Sequence, residues 1–191
     1  MLRVCVVGSG GVGKSCVTLR FLKDEFTEYY DPTMEETYQT EMIYSGRSHE
    51  VEIVDTAGQE EFTSFLDSSL ATGDAFMILY AINSLSSWNE LKTLRSKINQ
   101  ETESLGNRKV PIIVVGNKRD LEDERISLPD DPEEYAASID VPYIETSAKT
   151  GFNVKEAFQL MLRQVEAVQP DLLLRKKPST RDRKQKDCVL L

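Results

Sequence analysis

Residues 3–15 read Arg3-Val4-Cys5-Val6-Val7-Gly8-Ser9-Gly10-Gly11-Val12-Gly13-Lys14-Ser15. The first five form a short, β-branched apolar run, which is a strand signal. From Gly8 onward the residues match G-x-x-x-x-G-K-[ST] in full, and Lys14 to Leu22 then reads as a helix. In that strand–loop–helix context, glycines let the backbone wrap tightly, so successive N–H groups point at phosphate oxygens. The helix that follows presents its positive dipole end to the same anion. Lys14 can reach the β- and γ-phosphates, and the Ser15 hydroxyl suits Mg²⁺. Taken alone, this loop specifies a nucleoside triphosphate and no base, so an ATP-dependent phosphotransferase remains open.

Outward from this stretch the chain alternates strand and helix. Thr37 to Tyr44 and His49 to Val54 read as two strands joined around Ser45-Gly46-Arg47, a hairpin signal. Ala75 to Ile82 and Val110 to Val115 are continuous apolar runs, the pattern of strands buried on both faces. Val141 to Glu145 is a last short strand. Ser86 to Asn99 has Trp88, Leu91, Leu94 and Ile98 at helical spacing, and Asn153 to Val165 places Val154, Ala157, Phe158, Met161, Leu162 and Val165 on one face. Asp131-Pro132-Glu133-Glu134 is a helix start, with Asp as N-cap and Pro at the first helical position. Trp88, Phe158 and Met161 read as core, and His49, beside the hairpin turn, as exposed. This predicts an α/β fold: a mostly parallel six-stranded sheet with one antiparallel hairpin strand and helices on both faces. Ligands of such sheets bind beyond the carboxyl ends of the strands.

Four more loops fall at that end. Asn117-Lys118-Arg119-Asp120 follows a buried strand. Guanine presents N1–H and N2–H as adjacent donors, and one carboxylate can accept both. Adenine has no such amine, and its N1 is an acceptor, so Asp120 would repel it. Lys118 can lay its stem along the base, and Asn117 can tie this loop to the phosphate loop. Asp55-Thr56-Ala57-Gly58-Gln59-Glu60 places Asp55 to hold magnesium through water, the Gly58 N–H to sense a γ-phosphate, and Gln59 to orient an attacking water. In Tyr30-Asp31-Pro32-Thr33, Thr33 can bring a hydroxyl to Mg²⁺ and an N–H to the γ-phosphate. In Glu145-Thr146-Ser147-Ala148-Lys149, the Ala148 N–H can donate to guanine O6.

The chain has 191 residues and a net charge of −9, with charge distributed unevenly. Seven Lys or Arg (175, 176, 177, 181, 183, 184, 186) and two Asp (182, 187) give the stretch 175–187 a charge of +5, which leaves −14 on the remainder. An acidic body argues against nucleic acid, and a basic tail suits an anionic surface, although a solvated tail has the same composition. The periodic pattern fades near Gln169, so the expected domain is 1–168 and the expected flexible tail 169–191. No apolar run reaches the roughly 18 residues of a membrane span, and the N-terminus carries no signal-like segment. Cys5, Cys16 and Cys188 are odd in number and have no metal-ligand spacing, so neither a disulfide framework nor a zinc site is expected, which points to a reducing, cytoplasmic setting. The end Cys188-Val189-Leu190-Leu191 is a C-a-a-X pattern whose final Leu favours geranylgeranylation of Cys188.

Over residues 1–168 these motifs resemble the Ras-like small GTPase superfamily. The stretch Tyr30 to Tyr38 (YDPTMEETY) is most similar to the Ras branch. The resemblance implies a P-loop NTPase G domain that hydrolyses GTP to GDP with Mg²⁺ and signals through effectors in the GTP state. It implies nucleotide contacts from Gly10, Gly11, Val12, Gly13, Lys14, Ser15, Cys16, Phe26, Tyr30, Pro32, Thr33, Gly58, Asn117, Lys118, Asp120, Ser147, Ala148 and Lys149, with Phe26 packing on the guanine. Metal contacts fall to Ser15, Thr33 and, through water, Asp55; catalysis falls to Gln59, Lys14, Thr33 and Gly58. Two switch loops, roughly 26–36 and 56–72, would order around the γ-phosphate. The implied partners are an exchange factor, a GTPase-activating protein supplying an arginine, effectors at Tyr30–Tyr38, and an anionic membrane surface. A lipid-anchored protein on the cytoplasmic face of the plasma membrane is the matching expectation. Retention of Gln59 and Gly10 favours an active enzyme over a nucleotide-binding scaffold. Two positions depart from the Ras pattern: Ser69 stands where an aromatic is usual, and Leu66 where Arg is frequent.

Overall fold

The computed structural model describes residues 1–27, 35–56, 63–104 and 109–174. Six strands form one sheet: β1 (Leu2–Gly8), β2 (Glu35–Tyr44), β3 (Arg47–Thr56), β4 (Ala75–Ala81), β5 (Ile112–Asn117) and β6 (Tyr143–Glu145). Their order across the sheet is β2-β3-β1-β4-β5-β6, and only the β2–β3 pair is antiparallel. The helices are α1 (Lys14–Lys23), α2 (Thr63–Thr72), α3 (Leu85–Ser104), α4 (Pro132–Ser138) and α5 (Val154–Val168), with 3₁₀ turns at Arg119–Glu124 and Pro170–Leu174. This is the α/β architecture expected from the alternation of strands and helices.

Side chains alternate across the central strands, so each strand feeds two cores. Val4, Val6, Met77, Leu79, Ile113 and Val115 face Val17 of α1 and Phe158, Met161 and Val165 of α5. Cys5, Val7, Phe76, Ile78 and Val114 face Leu70 of α2, Trp88, Leu91, Leu94 and Ile98 of α3, and Ala136 of α4. Both faces are covered, which explains the unbroken apolar runs. The rings of Phe21 and Phe158 stack at 3.9 Å and lock α1 to α5.

Local signals set the element ends. Ser45 and Gly46, at φ 49° and 73°, form the two-residue link of the β2–β3 hairpin, where left-handed dihedrals match the strand twist. The Asp131 carboxylate accepts from the N–H groups of Glu133 (3.0 Å) and Glu134 (2.9 Å), so α4 is capped as its sequence predicts. Strand β5 starts two residues later than expected, because Pro111 has no N–H to give the ladder. It runs on through Gly116 to Asn117.

Four expectations need correction. Residues 63–72 form a helix inside the stretch read as a switch loop; its Ser- and Thr-rich sequence, TSFLDSSLAT, carries too weak an apolar stripe to announce it. Helix α3 extends to Ser104, beyond Asn99. The ordered fold continues past residue 168: Leu172 is buried in the α5-side core. His49 is half-buried rather than exposed, with Nδ1 3.2 Å from the carbonyl oxygen of Leu173. The last two share one cause, since the Pro170–Leu174 turn folds back onto the hairpin. Among the described residues, no helix is long and apolar enough to cross a membrane.

Candidate functional site

The carboxyl ends of β1, β3, β4, β5 and β6 converge on one edge of the sheet, and the loop after β1 lies at its centre. Gly8 packs so closely on β4 that a Cβ there would sit 2.4 Å from the Leu79 carbonyl oxygen. Gly13, at φ 95°, turns the chain into α1, and a Cβ on it would meet Asn117 Nδ2 at 2.5 Å. Both positions need glycine, one for close approach and one for approach and dihedral together. Lys14, at the first turn of α1, is 6% exposed. Its ammonium donates to the carbonyls of Gly8 and Ser9, each at 2.9 Å. Burial pulls its pKa down to about 8, against the opposing charges of Asp55 and Glu90.

Asp55, at the end of β3, is 1% exposed. Burial pushes its carboxyl up to about 6; a hydrogen bond from Ser15 and the charge of Lys14 oppose that rise, and Glu36 adds to it. Asp55 Oδ1 is buried without a hydrogen-bond partner. A hydroxyl and a buried carboxylate with an unsatisfied oxygen, beside a phosphate loop, fit the oxygen preference of Mg²⁺, which commonly takes one or two carboxylates plus substrate phosphates. Thr56 Oγ1 donates to the Val6 carbonyl at 2.9 Å and fixes the strand end next to Asp55.

The opposite side of the site is built around Asn117, which is 1% exposed. Its Nδ2 donates to the Val12 carbonyl at 2.8 Å, in the phosphate loop. Its Oδ1 accepts from Thr146 Oγ1 at 3.1 Å and from the Ala148 N–H at 3.3 Å, in the loop after β6. Lys118 adopts a left-handed φ of 70°, which turns the chain so that Asp120 faces the loop after β6. There Ser147 Oγ donates to Asp120 Oδ1 at 2.6 Å, and the Arg119 N–H donates to the Thr146 carbonyl at 3.0 Å. The Asp120 carboxylate is exposed, so it remains open to a ligand.

The structure thus brings together Val12, Gly13, Lys14, Ser15, Asp55, Asn117, Lys118, Asp120, Ser147 and Ala148. Cys16 in α1 and Phe26 just after it are half-buried; the Cys16 thiol lies 3.8 Å from the Thr27 carbonyl, and burial raises its pKa. Gly10, Gly11 and Lys149 are exposed at the rim. Tyr30, Pro32, Thr33, Gly58, Gln59, Cys188 and the basic residues 175–186 lie outside the described residues. Of the stretch 30–38, residues 35–38 are described and open β2; the Tyr38 hydroxyl donates to the Glu36 carboxylate.

Two residues of this site were not anticipated from sequence. Arg20 of α1 donates through Nε to the Ala148 carbonyl at 2.8 Å and through Nη2 to the Lys149 carbonyl at 2.7 Å. Thr146 supplies the buried hydroxyl to Asn117. The Arg20 contacts span 128 and 129 residues, and no local pattern encodes them.

A six-stranded sheet in this order, with a phosphate loop after β1 and N-K-x-D after β5, defines the class of α/β P-loop G domains. A model of the Ras family matches residues 3–167. The chain is also 38% identical over 163 residues to Ras-like protein 1 of Saccharomyces cerevisiae, an alignment covering 85% of this chain and 52% of that protein. It spans about half the length of that curated relative. The chain belongs to the Ras family, whose members are small GTPases that bind GTP and GDP.

Proposed function

We propose that this protein is a GTP/GDP-controlled signalling switch that hydrolyses GTP to GDP and phosphate with Mg²⁺. The observation that carries the reading is the triple role of Asn117, which joins the phosphate loop at Val12 to the 146–148 loop while Ser147 holds Asp120 beside it. One ligand spanning both halves would have phosphates on the Lys14 side and a base with adjacent donors on the Asp120 side. The backbone N–H groups of Gly10 to Cys16 and the Lys14 ammonium bind the phosphates, and Phe26, Lys118 and Lys149 flank the base. Ser15, Asp55 and Thr33 would hold Mg²⁺, which neutralises charge on the β- and γ-oxygens when bound. Gln59 orients the attacking water. Thr33 and Gly58 sense the γ-phosphate, so its loss releases the two switches.

Regulation follows the same logic. An exchange factor opens the site, and an activating protein supplies an arginine that this chain lacks just before Thr33. Effectors read Tyr30 to Tyr38 in the GTP state. The 175–187 basic cluster and a geranylgeranyl group on Cys188 place the protein on an anionic, cytoplasmic membrane face, with the plasma membrane the favoured location. The reading is tested by extracting the nucleotide that co-purifies with the protein and measuring single-turnover phosphate release with and without a magnesium chelator. Guanine nucleotide and magnesium-dependent release are expected; a bound adenine nucleotide would defeat the reading.

A further inference from the structure

A second polar cluster lies directly behind the base side of the site. Gly116 of β5 is cross-strand partner to Tyr80 of β4 and to Glu145 of β6. A Cβ on Gly116 would sit 2.8 Å from the Tyr143 hydroxyl and 2.9 Å from the Tyr80 hydroxyl. The missing side chain is therefore what lets the two phenols meet across β5, 2.8 Å apart. The Tyr143 hydroxyl also lies 2.9 Å from Glu145 Oε1. A carboxylate can only accept, so Tyr143 gives its one proton to Glu145 and Tyr80 must donate to Tyr143. Burial raises both phenol pKa values, that of Tyr80 to about 12, so the chain of protons is intact at neutral pH.

The carboxylate at the end of this chain is shared. Arg125 donates through Nη1 to Glu145 Oε1 at 2.8 Å and through Nη2 to Oε2 at 2.9 Å, a two-toothed grip. Arg119 Nε is 3.4 Å from Glu145 Oε2, and its guanidinium lies 4.3 Å from the Phe152 ring centroid. Arg119 sits between Lys118 and Asp120 and opens the 3₁₀ turn Arg119–Glu124, which Arg125 closes. Glu145 itself leads into Thr146, Ser147 and Ala148. One carboxylate therefore fastens both base-side loops to each other. An exposed ion pair contributes little, but a half-buried carboxylate with a bidentate arginine and an oriented phenol is a stiff, charge-assisted joint.

We propose that Glu145, aimed by Tyr143 and Tyr80, is a positioning residue for base selection: it sets the spacing between the Asp120 loop and the 146–148 loop and touches no ligand itself. This rests on the guanine reading of the site given above. Guanine offers two donors to Asp120, whereas hypoxanthine, lacking the 2-amino group, offers one. Loosening the joint weakens the two-point contact more than the one-point contact.

The test uses the full chain loaded with fluorescent N-methylanthraniloyl GDP or the corresponding IDP, chased with unlabelled nucleotide. Glu145→Gln should raise GDP release about tenfold, and Tyr143→Phe, which removes one hydroxyl and little volume, about threefold. IDP release should rise by less, so that the preference for GDP over IDP shrinks in both variants. Should Glu145→Gln fail to fold, Tyr143→Phe and Tyr80→Phe carry the same comparison. Unchanged release in the variants, or equal acceleration of GDP and IDP, would overturn the proposal, the latter by showing a general loss of stability. A wild-type protein that does not prefer GDP to ADP would instead sink the guanine reading itself.

Discussion

Asn117 Nδ2 and the Val12 carbonyl oxygen are 2.8 Å apart, a hydrogen bond that closes a loop of 105 residues. Asn117 is buried, and its other amide atom is engaged by Thr146 and Ala148. Asn117→Ala leaves the Thr146 hydroxyl and the Val12 carbonyl without that partner, at a cost of about 1–3 kcal/mol for the buried groups. Nucleotide release should accelerate by at least tenfold and the melting temperature should fall; fluorescent-nucleotide chase and thermal denaturation read the two effects. Release at the wild-type rate would mean that the three loops are held together by something else.

Asp120 is held by Ser147 but exposed toward solvent, and in the proposed function its charge would select guanine. Asp120→Asn replaces an acceptor with an amide that can donate. GTP binding should weaken by about 3 kcal/mol or more, while xanthosine triphosphate, whose C2 carbonyl accepts, gains in relative terms. Titration with both nucleotides checks this. GTP affinity within about a factor of three of wild type would be incompatible with the loss of a charged bidentate contact.

Hydrolysis should be slow without help. The residues before Thr33 are Glu28, Tyr29, Tyr30, Asp31 and Pro32, with no cation to meet charge developing on the γ-phosphoryl oxygens. Intrinsic turnover on the order of 10⁻³ s⁻¹ or below is expected, the scale of Ras-type GTPases, with strong stimulation by a partner's arginine. Gln59→Leu should suppress both rates and keep GTP binding. Gly10→Val should resist stimulation, because a side chain there crowds the incoming arginine. Phosphate release from the isolated protein near 1 s⁻¹ would contradict the account.

Ser69, the departure from the aromatic usual at this position, is 1% exposed on α2, and its hydroxyl donates to Glu35 Oε2 at 2.7 Å. That bond ties α2 to the first residue of β2. Ser69→Ala should cost about 1.5–3 kcal/mol, as expected for a hydrogen bond to a carboxylate. Urea denaturation of the GDP-bound protein measures it, and hydrogen exchange should quicken in residues 63–72. A midpoint unchanged within error would show that α2 is held by its apolar contacts alone.

Membrane attachment is predicted to need the lipid first and the charge second. One prenyl group binds reversibly, and Cys5 and Cys16 lie in the folded domain, so neither serves as a second acylation site in the tail. The seven cations of 175–186 supply about 1 kcal/mol each near an anionic leaflet before screening, with Asp182 and Asp187 offsetting part of that. Cys188→Ser should move the protein to the soluble fraction of expressing cells without altering GTP hydrolysis. Neutralising the cations should release the lipidated protein only in part and reduce its salt sensitivity. A Cys188→Ser protein still on membranes would point to a different anchor.

The sequence alone determined the phosphate loop, the alternation of strands and helices, the Asp131 cap and the Asp120 carboxylate. Each is written in a few adjacent residues: a glycine spacing, a two-fold or 3.6-fold apolar period, or a side chain that bonds its own backbone two or three positions on. The tertiary structure alone decided which loops meet. Arg20 reaches Ala148, Asn117 reaches Val12, Tyr80 reaches Tyr143 across Gly116, and His49 meets Leu173. These contacts join residues 63 to 128 apart. They exist because strand order and register place those residues side by side, and a one-residue slip in register would turn each strand's side chains to the opposite face. Helix α2 shows the same division. Its polar sequence is a weak helix signal, but its buried positions, Ser69 and Leu70, find Glu35 and the α3-side core, contacts that arise only once the sheet is assembled.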